Sequence, residues 1–580
     1  MLPCVLRAPP FPGVPVEVAT ISTRLMEGHQ SPRADLGAVE QDRARTLRQS
    51  LRDSRVGGTF WAARFAGSSE RYILCVPRDP TQAAAMLADA LSDRTGHEQL
   101  ILLPQARWTF EVERRGLAAG LTMVRGSFDP WSLLDRAIGV LADADSDFAF
   151  LAIVLGLPVQ RAVGGGVCQL GKPISRHNSQ ILPDDEAERL IHQRLVDQCV
   201  YRDCFTGEEQ SAEQAIAQLR EWRGIIDANR GIAAVAGISW WKRKMISKFL
   251  WAGGAAAPPF CGSARQAVRV AKGGADIAVW PSRAPRGLET LAKAADVPVR
   301  QIEDGFIRSV GLGSDLLPPM SIVVDRQGIY YDPHQPSDLE TVLATTQFSS
   351  GLIERAKALM AVIVARGVTK YGASMAKAAA LPVGVRRVLV PGQVEDDRSV
   401  LLGGGDVSGN LDLLRRVRAA EPDAFILFKP HPDVIAGHRR GHVPPEQALR
   451  FADQIVSDMA MPALLDVVDA VHVWTSLAGF EALLRGREVV VHGMPFFAGW
   501  GLTQDLGPPV AKRTRRLTLE ELVAGVLILY PRYLDPDTGL PCSPEVLVSR
   551  IVRGPLGKPR WITRMRRAQG RITKRLVMPS

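Results

Sequence analysis

From Tyr72 onward, short runs of apolar residues alternate with longer stretches of helical periodicity. The runs are YILCV (72–76), QLILL (99–103), DIAVW (276–280), VRQIE (299–303), RVLVP (387–391), FILFK (425–429), VHVW (471–474) and EVVVHG (488–493), and stretches such as 409–420 and 476–485 read as helices between them. A strand that is apolar at nearly every position has no solvent face. It belongs in a sheet covered on both sides, and the helices between strands supply the cover. The expected fold class is therefore α/β with parallel sheets. At 580 residues the chain exceeds one compact core, and two to four domains are expected.

Composition excludes several classes. No apolar run reaches the ~18 residues of a membrane-spanning helix; the longest, Phe148 to Val159, suits a buried helix and strand start. The N-terminus (MLPCVLRAPPFPG) lacks the charged, apolar, small-residue series of a signal peptide. Seven cysteines without a CxxC pair argue against a zinc site or a disulfide framework and fit a reducing, cytoplasmic compartment. The net charge of +10 is local: nine Lys or Arg and no acid lie between Arg553 and Ser580, leaving about +1 for the rest. With a near-neutral body and no nucleic-acid-binding motif, no nucleic-acid partner is expected.

The sequence also repeats itself at long range. YRDCFTGEEQSAE (201–213) matches YLDPDTGLPCSPE (533–545) at an offset of 332, pairing Tyr201/Tyr533, Asp203/Asp535, Thr206/Thr538, Gly207/Gly539, Ser211/Ser543 and Glu213/Glu545. Upstream, SDFAFLAIVLG (146–156) matches SLAGFEALLRG (476–486) at an offset of 330. The copies differ in chemistry. The later one carries GQVEDDRS (392–399) and FKPHPDV (428–434), where the earlier has VPRDPTQ (76–82) and LLPQARW (102–108). The earlier copy reads as a module stripped of its polar groups, hence structural.

Four polar clusters stand at predicted strand ends, where open α/β sheets place ligands. Glu303 and Asp304, followed by Gly305, Phe306, Ile307 and Arg308, could supply a general base, or could be a solvated cap. Glu395, Asp396 and Asp397 could attack an anomeric carbon or orient an acceptor, or could form an acidic surface turn. A short glycine run, Gly403 to Gly405, could approach an anion. Lys429 and His431, between prolines, could hold and protonate a phosphate leaving group, or be structural. Thr475 and Ser476 could cap a helix with or without a phosphate at its N-terminus.

Taken in order, these segments are identifiable. EDGFIRSVGLGSDLLPP (303–319), SIVVDRQGIYYDPHQPSDLE (321–340), VPGQVEDDRS (390–399), FKPHPDV (428–434), TSLAGFEALLRG (475–486), PFFAGWGLT (495–503) and LYPRYLDP (529–536) resemble the capsule polysaccharide Kdo transferases of the KpsC/LipA type, from about Gly237 to the C-terminus and including ISWWKRKMISKFL (238–250). The resemblance implies a GT-B-like pair of Rossmann-type lobes and transfer of Kdo from CMP-Kdo to a lipid-linked Kdo acceptor with retention. It implies Asp397 as nucleophile, Glu303 or Asp304 as general acid/base, and His431 as a further catalytic group. Lys429, His431 and Ser476 fall on contacts to the CMP phosphate and Glu481 on the ribose side; Thr475, Gly479, Gln393 and Arg308 complete the expected substrate-binding set. No cofactor and no metal are expected beyond the CMP-Kdo donor. Members of this type carry two complete modules, whereas here the first lacks an acidic-Gly motif, so one active site is expected. Pro281 after Trp280 replaces an expected glycine.

The expected domains are a poorly ordered segment (1–55), a degenerate Rossmann-like half-module (56–235), an acceptor-side lobe (236–385), a CMP-sugar lobe (386–552) and a basic amphipathic tail (553–580). In the tail, KPRWITRMRRAQGRITKRL (558–576) interleaves basic residues with Trp561, Ile562, Met565, Ile572 and Leu576, which suits docking on the anionic inner face of the cytoplasmic membrane. Other capsule-assembly proteins are further expected partners. Two alternatives stand: a catalytically inactive scaffold of that assembly, and a transferase for another CMP-activated acid sugar.

Overall fold

The computed structural model describes residues 4–15, 21–24, 35–67, 71–77, 98–103, 122–143, 145–162, 181–254, 256–308, 318–369, 372–373, 381–437 and 439–554. The basic tail beyond Gly554 lies outside them. The chain divides into two compact units, Met1–Arg230 with Leu250–Ala257, and Gly231–Phe249 with Pro258–Ser580.

The first unit holds β1 (Ser22–Arg24), α1 (Ala38–Ser54), β2 (Tyr72–Val76), β3 (Glu98–Leu103), β4 (Thr122–Arg125), α2 (Pro130–Leu134), β5 (Ala137–Asp143), α3 (Asp147–Leu155), β6 (Val159–Ala162), α4 (Asp184–His192) running into a π-turn, β7 (Cys199–Arg202), β8 (Glu209–Gln210) and α5 (Ala212–Asn229). Its main sheet is parallel, in the order β4-β3-β2-β5-β6. A small antiparallel sheet, β1-β7-β8, stands beside it in the chain.

Segment 1–55 departs from expectation because α1 is a regular helix. It buries only Ala44, Leu47, Leu51 and Ser54, a narrow stripe with two leucines that gives a weak apolar period. Its arginines are held by carboxylates instead: Arg45 by Glu188 at 2.8 Å and Arg48 by Asp184 at 2.8 Å.

The second unit begins with β9 (Ile232–Ala236), α6 (Arg243–Phe249), β10 (Phe260–Cys261), α7 (Ala264–Ala271), β11 (Asp276–Val279), α8 (Leu288–Ala294), β12 (Val299–Asp304), β13 (Ser321–Asp325), α9 (Asp338–Thr345), α10 (Ser350–Ala365) and a hairpin, β14 (Val368–Thr369) with β15 (Gly372–Ala373). It continues with β16 (Arg387–Pro391), α11 (Arg398–Gly403), α12 (Asn410–Ala420), β17 (Phe425–Lys429), α13 (Pro432–Ile435), β18 (Gln454–Ile455), α14 (Met461–Leu465), β19 (Ala470–Val473), α15 (Leu477–Leu483), β20 (Glu488–Val491), β21 (Gln504–Asp505), α16 (Leu519–Val523) running into a π-turn, β22 (Arg532–Leu534), β23 (Pro541–Cys542) and α17 (Pro544–Arg553).

Two sheets result. One is ordered β10-β9-β11-β12-β13-β22-β23, parallel through β12 and antiparallel beyond; the other, β18-β17-β16-β19-β20-β21, is parallel throughout. The second is the Rossmann order, reversing between β16 and β19. Val388 and Val390 of β16 and Ile426 and Phe428 of β17 are buried against Leu413, Leu414 and Val417 of α12. Each such side chain contributes about 1.5–3 kcal/mol. Strands β22 and β23, expected in the 386–552 lobe, instead hydrogen-bond into the first sheet through β13. They are three and two residues long, too short for their pairing to show as a pattern in the sequence.

Candidate functional site

The reversal between β16 and β19 opens a crevice at the carboxyl ends of those strands, where doubly wound sheets bind ligands. Two predicted residues meet there. Gln393, just after β16, and Thr475, just after β19, exchange two hydrogen bonds: Gln393 Nε2 donates to Thr475 Oγ1 at 3.1 Å, and Thr475 N donates to Gln393 Oε1 at 2.9 Å. Both are buried. Asn410 at the start of α12 completes the frame. Its Oδ1 accepts from Gln393 N, its Nδ2 donates to the carbonyls of Gln393 and Gly441, and its N–H donates to Glu395 Oε1. The turn bearing the acidic triplet is thereby tied down from three sides.

Within that turn the carboxylates have separate fates. Asp396 is exposed and paired with Arg439 at 3.1 Å. Asp397 is the N-cap of α11: its Oδ1 accepts from Ser399 N at 3.0 Å and Ser399 Oγ at 2.7 Å. Capping fixes the carboxylate's direction.

The acidic motif of the first sheet is built differently. Gly305 follows β12, and a Cβ there would sit 2.3 Å from Ser321 Oγ, so the close approach of β13 requires glycine. Asp304 is gripped through both oxygens, Oδ2 by Arg308 Nε at 2.7 Å and Oδ1 by Lys242 Nζ at 3.1 Å. Asp304 N–H donates to Glu303 Oε1 at 3.0 Å. Arg308 is fully buried. Residues 309–317 of the matched motif lie outside the described residues.

Tyr330 and Tyr331 connect the two acidic loops. Burial, with Glu303, Asp397 and Asp304 around it, pushes the Tyr330 pKa well above 10. Burial, Glu303 and Asp397 likewise raise Tyr331, with Arg398 acting against them. One aromatic pair thus feels the carboxylates of both loops. Phe306 and Phe496 pack on Tyr330 at 4.8 and 5.7 Å between centroids.

The remaining predicted residues line up along the edge of the second sheet. Lys429 ends β17; its Nζ donates to Met459 O at 2.6 Å, and burial lowers its pKa while Asp458 opposes. His431 caps α13, its Nδ1 accepting from Asp433 N at 3.1 Å, which makes Nε2 the protonated nitrogen of the neutral ring. Ser476 caps α15 through Ala478 N at 3.2 Å. Gly479 is set by packing: a Cβ would lie 2.7 Å from the Phe497 ring. Glu481, two residues on, is half-buried. Gly404, in the glycine run, is pressed against Trp474, whose Nε1 donates to its carbonyl at 2.7 Å, so that run is a packing device.

Sequence reasoning missed Lys242, Tyr330, Tyr331, Ser399 and Asn410. The tyrosines were signalled only by standing side by side in a matched segment. A pocket of ≈ 610 Å³ lined by His334, Leu401, Leu402, Met494, Pro508 and Lys512 contains none of the expected site residues. Among the described residues no group of three or more His, Cys, Asp or Glu could hold a metal ion, and no helix is long and apolar enough to cross a membrane.

The sequence profile of a family described as capsule polysaccharide biosynthesis protein matches residues 275–378 and 353–533. The capsule polysaccharide modification protein LipA of Neisseria meningitidis serogroup B is 40% identical over 357 residues, 61% of this chain and 50% of LipA. The chain thus spans about half the length of the curated relatives it matches first. Two solved structures of Thermosulfurimonas dismutans KpsC each cover 55% of this chain and are themselves covered over 98%: the β Kdo 2,7 transferase at 34% identity and TM-score 0.46, and the β Kdo 2,4 transferase at 31% and 0.48. The matched span contains both acidic loops, the KPHP strand end and the Thr475–Ser476 cap, and on this agreement the chain belongs to the capsule polysaccharide biosynthesis family of the KpsC and LipA type.

Proposed function

We propose that the chain is a retaining glycosyltransferase that moves Kdo from CMP-Kdo to a Kdo-terminated glycolipid in capsule biosynthesis. The observation that carries this reading is a pair of carboxylates each fixed at a strand end of its own sheet, Asp397 by Ser399 at the cap of α11 and Glu303 by the Asp304 N–H. Two carboxylates in separate roles are what a double displacement needs. The two sheets of the second unit then act as a GT-B-like pair.

In the first step an Asp397 oxygen attacks the anomeric carbon, the bond to the CMP phosphate oxygen breaks, and its electron pair leaves with CMP. Lys429 and the Nε2–H of His431 meet the phosphate charge, with Ser476 beside them and Glu481 toward the ribose. In the second step the acceptor hydroxyl attacks the same carbon, its proton goes to Glu303, and the Asp397 carboxylate is released. Two inversions leave the anomeric configuration unchanged. Asp304, gripped through both oxygens, is assigned to fixing the loop, and the proton transfer to Glu303. As written, the chemistry uses no metal, and the basic tail holds the enzyme at the membrane face where the acceptor's lipid is anchored.

The test is incubation of purified protein with CMP-Kdo and a synthetic Kdo-terminated lipid, with the product analysed by mass spectrometry and NMR. One added Kdo of retained configuration is expected. Acceptance of CMP-sialate in place of CMP-Kdo would reassign the donor, and transfer from neither would overturn the proposal.

A further inference from the structure

Three adjacent parallel strands, β9, β11 and β12, deliver three side chains to one edge of the first sheet: Lys242 from the loop after β9, Trp280 directly after β11, and Asp304 at the end of β12. The ammonium of Lys242 lies 3.5 Å from the Trp280 ring centroid, 5.3 Å from that of Trp241, and 3.1 Å from Asp304 Oδ1. Lys242 is 8% exposed. The loops after β9 and β11 are pressed backbone to backbone. Gly237 has φ +74°, and a Cβ on it would stand 2.8 Å from Trp280 O and 2.9 Å from Arg283 O.

A buried ammonium is costly to desolvate, and an apolar side chain would fill this space at lower cost. What a cation adds is a grip on Asp304 from the side opposite Arg308. Asp304 in turn donates its N–H to Glu303 Oε1. We infer that Lys242 is a positioning residue: held by the face of Trp280, it fixes Asp304 and through it aims Glu303 at the acceptor hydroxyl. This rests on the transferase reading above.

The charged and titratable groups around Lys242 are Asp304, Glu303 and Arg308, with Tyr330 and Tyr331 facing Glu303 from beyond. Burial lowers the pKa of Lys242, and Asp304 and Glu303 oppose that. Its positive charge therefore favours the ionised form of Glu303, the form that accepts a proton. Removing the charge moves the acid limb of the pH–rate profile to higher pH.

The test uses the full-length enzyme with CMP-Kdo and the Kdo-terminated lipid, each variant first checked for folding by circular dichroism and thermal melting. Lys242→Met is expected to lower kcat by roughly 30-fold with KM for CMP-Kdo changed less than about twofold, and to shift the acid limb upward. Lys242→Arg restores most of kcat. Asp304→Asn combined with Lys242→Met is expected to be no worse than the poorer single variant, as for two residues acting as one unit. Wild-type kcat and pH profile in Lys242→Met, or full additivity in the double variant, would overturn the inference. If Lys242→Met does not fold, Lys242→Gln takes its place in the cycle with Asp304→Asn: non-additivity supports the inference and additivity overturns it. Lack of transfer by the wild-type enzyme would instead fault the transferase reading.

Discussion

The two copies of the repeat keep the same scaffolding contacts and part company at the strand ends. In the first unit Tyr201 Oη donates to Leu195 O at 2.8 Å; in the second, Tyr533 Oη donates to Leu527 O at 2.7 Å. Each tyrosine follows a π-turn and is registered against a serine, Ser22 or Ser321, whose hydroxyl donates to the carbonyl of Leu6 or Ile307. Asp203 and Asp535 accept from the loop N–H groups that follow them, and Gly207 and Gly539 turn at φ +77° and +75°. Arg43 clamps Glu213 and Arg355 clamps Glu545. Both main sheets share the order β4-β3-β2-β5-β6 or its counterpart β18-β17-β16-β19-β20.

At the helix N-terminus after the fourth strand the copies diverge. The second has Ser476 then Leu477. The first has Ser146 then Asp147, a half-buried carboxylate held by Arg7 at 2.5 Å. Where the second copy has an uncharged leucine, the first has a carboxylate. The residues that specify the fold and those proposed to carry chemistry are therefore separate sets, and the first copy has one without the other.

The largest expected effect tests that separation. Asp397→Asn should cut transfer by roughly 10³-fold or more while the thermal midpoint stays near wild type, since asparagine still caps a helix. Asp147→Asn, at the first copy's strand end, should leave turnover within about twofold. Steady-state kinetics with CMP-Kdo measures both. Loss of turnover in a folded Asp147→Asn protein would give the first copy a part in the reaction.

The sequence showed some of this and hid the rest, for physical reasons. Strands β2, β16 and β17 are legible to the residue because burial on both faces leaves them apolar at all but their end positions. Helix α1 is not, because the stripe it buries is narrow, with only two leucines in it. At the site, Asp397 and Glu303 are readable as acids at strand ends. Gln393 and Thr475 look like ligand contacts, yet they bond to each other across 82 positions, a pairing that only the strand order reveals. Gly479 serves Phe497, and nothing in a lone glycine distinguishes packing from a phosphate turn. Lys242 stood unnoticed in a basic run whose other members, Arg243 and Lys244, are exposed.

A second divergence lies inside the sheets. His472 Nδ1 and His492 Nε2 are 3.1 Å apart, both rings buried, where the first copy has Ala142 and Ala162. Burial, aided by His472 and Arg416, lowers the His492 pKa to about 4. A histidine depressed in the folded state favours the neutral form. The stability tied to that is complete above the unfolded value of 6.5 and is lost as pH falls through that value toward 4. The loss is at most about 3 kcal/mol. Hydrogen exchange of β19 and β20 should accelerate between pH 6.5 and 4 while β2 and β5 do not share the transition, and His492→Ala should flatten it. Equal acid sensitivity in both sheets would show that the histidine pair is not its source.

The shared scaffold predicts equal costs. Tyr201→Phe and Tyr533→Phe each leave a buried carbonyl unpaired, Leu195 or Leu527, at about 1–2 kcal/mol. Urea unfolding of each variant, followed by hydrogen exchange in β7 and β22, measures the two losses locally. A cost in one copy only would mean that the common hydrogen bond no longer has a common role.

The smallest expected effect concerns the arginine clamps. Glu213 is brought down to about 2 chiefly by its hydrogen bonds to Arg43, against the opposing effect of burial. For a carboxylate depressed in the folded state, the contribution is complete above the ordinary value of 4.5 and lost as pH falls toward 2. Both side chains are about one-third exposed, so solvent screening holds the clamp to under about 1 kcal/mol. Arg43→Gln should therefore lower the stability of α5 slightly at pH 6 and erase its loss between pH 4.5 and 2, as read by hydrogen exchange across that helix. Arg355→Gln should do the same for α17, where burial of Glu545 is outweighed by Arg355 and the pKa again lies below the usual range. Two like responses would mean that both clamps still serve the fold, although only one of the copies retains the proposed chemistry; an unchanged acid slope in Arg43→Gln would mean that the first copy keeps its clamp in form without its energy.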